Sequence, residues 1–138
     1  MSDLVKHILF PTDGSQKAEA AFQQALDLAL HHRARLSLLH IAQHGTATAG
    51  SAAEVDALRR ELAGMLDEFE SAAKDAGVKR VQRSTSSGLA YSRILQFAES
   101  QDIDLIVLGA VGAGGASGLG DVATHVSKFA NCTVLIVR

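Results

Sequence analysis

Five short apolar runs, separated by stretches with helical spacing, restrict this chain to an α/β fold. The runs are Lys6 to Phe10, Arg35 to Ile41, Lys79 to Thr85, Asp104 to Leu108 and Thr133 to Val137. Pro11 is read as the stop of the first strand, because proline has no N–H to donate. Ala18, Ala21, Phe22, Ala25, Leu26 and Ala29 then recur as one apolar stripe, with Ser15 placed to cap that helix. Glu54 to Gly77 reads as a long helix with Leu58, Leu62, Met65, Phe69, Ala72 and Ala76 on one face and Gly77 as its stop. Ala90 to Gln101 follows, with Tyr91, Ile94, Leu95 and Ala98 inward and Ser86-Ser87-Gly88 fit to cap it. Asp121 to Ala130 is the last helix, and Ala42 to Ala53, lacking any period, is a loop. Strands divided by helices imply a parallel sheet with right-handed crossovers. The polar third strand suits a sheet edge.

The glycines say where such a sheet would work. Six of the chain's twelve glycines fall between Gly109 and Gly120, after an apolar strand and before a helix. Glycine lets backbone approach an anion closely, and a helix start offers unpaired N–H groups and partial positive charge. Phosphate is the natural ligand of that arrangement. Glycine with alanine and serine is also linker composition, and a plain flexible loop is the competing reading. Linkers, however, do not belong at a strand-to-helix junction inside a domain. In a doubly wound sheet, ligands sit beyond the strand carboxyl ends. Pro11-Thr12-Asp13-Gly14-Ser15, His40-Ile41 and the glycine run would meet there.

Composition narrows the partners. A formal charge of −2 offers no footprint for nucleic acid and no polybasic membrane patch. No apolar run approaches the ~18 residues of a membrane span, and the first residues do not read as a signal peptide. The single cysteine, Cys132, cannot form an internal disulfide, so a cytoplasmic protein is expected. No His, Cys and Asp spacing resembles a metal site. Cys132 reads as a buried, inert thiol, and His31-His32 suit a helix C-terminus.

The segments Ile8-Leu-Phe-Pro-Thr-Asp13-Gly-Ser15, Leu39-His-Ile41, Asp104-Leu-Ile-Val-Leu-Gly109 and Asn131-Cys-Thr-Val-Leu-Ile-Val137 resemble the universal stress protein family, in order and across the whole chain. The resemblance implies one domain over residues 1–138, a Rossmann-like five-stranded parallel sheet flanked by helices, and strand order 3-2-1-4-5. It also implies a stress-response regulatory protein. It implies a homodimer through the last strand, Thr133, Val134, Leu135, Ile136 and Val137, whose uncovered edge invites pairing.

Some members of that family bind ATP and some do not, and the binders carry Gly-x2-Gly-x9-Gly-Ser/Thr. Gly109, Gly112 and Gly120 match the glycines. Only seven residues separate Gly112 from Gly120, and Asp121 stands where a hydroxyl residue is usual. A carboxylate repels phosphate unless a divalent cation such as Mg²⁺ bridges them. AMP or ADP would suffer less from Asp121 than ATP. The resemblance makes Pro11, Thr12, Asp13, Ile41, Gly109, Gly112, Ala113, Gly114, Gly120, Asp121 and Val122 the expected adenine-nucleotide contacts. Gly115 and Gly118 could help the shorter loop wrap an anion. Asp13 can accept from ribose hydroxyls or cap the first helix, and the two roles can coexist. No Lys or Arg lies in the glycine run, and Lys17 is the one cation near Asp13, so ATP hydrolysis is expected to be slow or absent. The alternative is a dimeric stress adaptor whose nucleotide site has degenerated.

Overall fold

The computed structural model describes residues 5–12, 18–42, 52–110 and 120–138. Its elements run β1 (His7–Thr12), α1 (Ala18–His32), β2 (Arg35–Ala42), α2 (Ala52–Ala76), β3 (Val81–Ser87), α3 (Ala90–Ser100), β4 (Leu105–Gly109), α4 (Asp121–Phe129) and β5 (Thr133–Val137). The five strands form one parallel sheet in the order β3-β2-β1-β4-β5, as the resemblance implied.

Alternation along the strands builds a core on each face. Ile8, Phe10, Leu36, Leu38, Leu105 and Val107 face α1 and α2. Leu9, Leu39, Ile41, Ile106 and Leu108 face α3 and α4. On the first face three phenylalanines meet. Phe22 of α1 stacks on Phe69 of α2 at 4.3 Å, and both stand edge-on to Phe10 of β1 at 5.6 Å. The buried stripe of α1 is the one its spacing predicts.

Three local expectations need correction. First, Pro11 does not stop β1. The strand continues to Thr12, with Pro11 paired beside Leu39. The His7 carbonyl faces β4, where it accepts from Asp104 N at 2.9 Å. Alternation therefore turns the missing N–H of Pro11 toward β4 and away from β2. The pairing of β1 with β4 accordingly covers only Ile8↔Leu105 and Leu9↔Ile106. Second, α2 buries Leu66, Phe69 and Ala73, with Met65 partly covered, while Ala72 and Ala76 face solvent. Met65 and Phe69 of the expected face thus pack on the core, the apolar neighbours at Met65-Leu66 and Ala72-Ala73 leave the rest ambiguous by about one residue, and the Leu58 and Leu62 side chains lie outside the described residues. Third, Ser86 and Ser87 end β3 and do not cap α3, whose N-cap is Leu89 without a side-chain hydrogen bond. Gly88 makes the turn at φ +124°, and Arg93 Nε donates back to the Ser87 carbonyl at 2.9 Å. The expected loop from Ala42 is bounded by β2 and α2, and its interior lies outside the described residues.

β3 is an edge, as its polarity predicts, and Arg83 pairs with Asp67 and Glu70 of α2 across it. At the opposite end of the sheet from the glycine run, His7 is buried. Its Nδ1–H donates to the Gln101 carbonyl at 3.2 Å, and Ser37 Oγ donates to Nε2 at 2.6 Å. Burial lowers the His7 pKa below 6.5, and the Arg35 charge adds to this. Asp104 and the Gln101 carbonyl oppose the shift without reversing it. A lowered folded pKa means that the unfolded chain takes up the proton first. The His7 contribution to stability is thus complete above the ordinary histidine pKa and is lost as pH falls through the lowered one. We expect the urea midpoint to drop between pH 7 and pH 5, and His7→Gln to flatten that drop. An equally steep fall in the variant would assign the effect to other groups.

Candidate functional site

Strand order fixes the place. From β1 the chain winds outward to β2 and β3, then α3 returns it to β4 on the other side of β1. The reversal falls between β1 and β4, and open α/β sheets bind ligands at that point, beyond the carboxyl ends. Here Pro11 has a consequence. Continuing the β1–β4 register would set Thr12 opposite Gly109, but pairing stops at Leu9↔Ile106. Pro11 has no N–H to donate to β4, so one of the hydrogen bonds that would continue the pairing is missing there.

Thr12, the last residue of β1, lies beside His40 of β2, and both are buried and engaged in polar or electrostatic contacts. Ile41 follows, 4% exposed, within the α3–α4 core. Gly109 closes β4, and the next residue, Ala110, is held twice. Its N–H donates to the Val137 carbonyl of β5 at 2.8 Å, and its carbonyl accepts from Gly120 N–H at 2.7 Å. The two ends of the glycine run are therefore fastened to each other and to β5. Gly120 is extended (φ −72°, ψ 168°) and starts α4 without a side-chain cap. Asp121, exposed, and Val122, half-buried, form the first turn.

The structure thus brings Pro11, Thr12, Ile41, Gly109, Gly120, Asp121 and Val122 to the carboxyl end of one sheet. Asp13, Ser15, Lys17, Gly112, Ala113, Gly114, Gly115 and Gly118 lie outside the described residues. One arrangement at this end escaped the sequence reading. His125 donates from Nδ1 to the Asp121 carbonyl at 2.8 Å and stacks on Tyr91 of α3, with ring centroids 4.2 Å apart and planes inclined by 15°. The pair pins the first turn of α4 to α3. Its partners sit on separate helices, so no local spacing announces it.

Among the described residues, no cluster of three His, Cys, Asp or Glu side chains could hold a metal, and no helix is long and apolar enough to cross a membrane. Cys132 is half-buried rather than fully buried. Burial, then the Asp104 charge, pushes its thiol above 9.0, away from the reactive thiolate.

Residues 5–138 match the Universal stress protein family. The chain belongs to that family. It is 33% identical to the universal stress protein YxiE of Bacillus subtilis, over 95% of this chain and 97% of that one. Among solved structures it is similar to the hypothetical protein MJ0577, at 25% identity and a TM-score of 0.85, over 97% of this chain and 96% of that one. A universal stress protein solved in complex with cAMP shares the fold at 24% identity and a TM-score of 0.74, over 97% of both chains. This universal stress protein thus shares the five-stranded sheet fold of its solved relatives.

Proposed function

We propose that this universal stress protein binds an adenine nucleotide at the carboxyl end of its sheet and acts as a dimeric switch. The carrying observation is the closed glycine run, with Gly120 N–H on the Ala110 carbonyl and α4 beginning uncapped beside it. Backbone amides of Gly112, Ala113 and Gly114 and of the Gly120-Asp121-Val122 turn would hold the phosphates. Pro11, Thr12, Asp13, Ile41 and Gly109 would line the adenosine side of the crevice. The fold-level likeness to a protein solved with cAMP supports an adenine ligand by analogy.

A Val137 carbonyl that holds Ala110 links the root of the glycine run to β5. β5 is a sheet edge with half-buried Val134, Leu135, Ile136 and Val137, suited to pairing with a second copy. Occupancy would be read at that edge. Sedimentation at micromolar concentration tests the dimer, and a monomer would end that part of the reading. Residues 1–138 form one cytoplasmic domain in this reading, with neither nucleic acid nor membrane as partner. With no cation assigned to the phosphates, the protein is a binder whose hydrolysis of ATP is slow at most.

Asp121 decides between nucleotides. It is exposed, so its repulsion of a phosphate 4 Å away lies nearer the about 1 kcal/mol of water than the about 4 kcal/mol of a protein surface. In the free protein the carboxylate favours α4 by sitting at its positive end. Asp121→Ser should therefore tighten ATP about fivefold and remove any Mg²⁺ requirement, with a smaller effect on AMP. Calorimetric titration of ATP, ADP and AMP, with and without Mg²⁺, reads this. Asp121 and the shortened loop also favour a second reading, a dimeric adaptor without ligand. Absence of heat from every nucleotide in both proteins would establish that reading over ours.

A further inference from the structure

At the amino end of β2 and β3 lies an open concavity of about 460 Å³, lined by Arg35, Lys74, Lys79, Arg80, Val81 and Gln82. Four of its six lining residues are cationic, in a chain whose net charge is −2. General basicity does not explain such a gathering. Strand register makes it sharper. Leu36 pairs with Val81, and Leu36 N donates to the Arg80 carbonyl at 2.9 Å. One step earlier, Arg35 and Arg80 are cross-strand neighbours. Like charges placed opposite each other destabilise a sheet.

The usual remedy is missing. Among the described residues, Lys74 pairs with Glu70 at 3.0 Å and Arg83 takes Asp67 and Glu70, while no carboxylate stands within ion-pair distance of Arg35, Lys79 or Arg80. The C-terminus of α2 contributes roughly half a negative charge nearby. Its carbonyls at Ala73 and Lys74 are already taken by Val78 N and Gly77 N. Three uncompensated cations thus face one concavity.

We propose that this concavity is a second ligand site, for a compact anion carrying two or more phosphate groups. Two guanidinium forks match phosphate oxygens in pairs, and Lys79 adds a point charge. The site is distinct from the glycine run. β2 separates them by roughly 20 Å, at about 3.3 Å per residue. It needs no covalent step and does not depend on nucleotide binding at the other end.

Tripolyphosphate is the probe, added to the full chain and followed by amide chemical shifts. Saturable shifts centred on Lys79, Arg80, Val81 and Arg35 are expected. Arg35→Gln/Arg80→Gln should weaken them at least tenfold, whereas Lys128→Gln, which removes one positive charge elsewhere, should not. Shifts confined to Gly109 and Gly120-Val122, or equal affinity in the double variant, would overturn the proposal. Should the double variant not fold, the location of the native shifts decides alone. An ADP arm separates the sources of the phosphate. Shifts of the same amides with ADP would identify a nucleotide tail as the natural anion, and silence there with tripolyphosphate bound would identify a free polyphosphate.

Discussion

Phe22→Ala should destabilise the protein by about 3–5 kcal/mol, the range for removing a buried aromatic ring. Phe22 is 1% exposed and touches both other rings of its cluster, at 4.3 Å to Phe69 and 5.6 Å to Phe10. The cluster ties α1, α2 and β1 together, so its loss leaves a hole bounded by three elements that cannot all move inward. Domains of this kind have net stabilities of roughly 5–15 kcal/mol, so the loss is a large fraction of the whole. Urea denaturation measures it. A loss under about 1 kcal/mol would mean that α2 collapses onto the gap and that the ring cluster does not hold the layer in place.

Gly112→Val should reduce nucleotide affinity by about a hundredfold while leaving the thermal midpoint unchanged. The proposed site holds phosphate with backbone amides, and a branched side chain would keep the backbone from closing on the anion. Losing one or two hydrogen bonds to a charged group, each worth about 1.5–3 kcal/mol, accounts for that factor. The run's ends are fastened by the Ala110–Gly120 hydrogen bond whatever residue 112 is, so the fold has no reason to respond. Equal affinity in calorimetry would remove the glycine run from the site. A fall in both affinity and thermal midpoint would make Gly112 structural instead.

Much of the candidate site was legible in the residues. The spacing of Ala18 to Ala29 predicts the buried face of α1 because a single helix face carries the whole apolar signal. Gly109 and Gly120 bracket a strand-to-helix junction because glycine and helix starts are local features. α2 was misread where apolar residues stand next to each other, since helical period alone cannot choose between Leu66–Ala73 and Ala72–Ala76. Ser86 and Ser87 looked like a cap because their types suit one. Pairing with β2 drew them into β3 instead, at Ile41↔Ser86 and Ala42↔Ser87.

Side-chain spacing along the chain was enough for the kinds of element, their succession and the glycine-rich turn, because these depend on residues within a few positions of each other. Which residues become neighbours across the sheet depends on register between strands far apart in the chain. That register placed Pro11 inside β1 beside Leu39 rather than at its stop, and ended the β1–β4 pairing at Leu9 and Ile106. It also set Arg35 beside Arg80, and the packing of α3 on α4 laid Tyr91 against His125. Each of these contacts joins segments whose separation no local pattern encodes, so each had to wait for the assembled sheet.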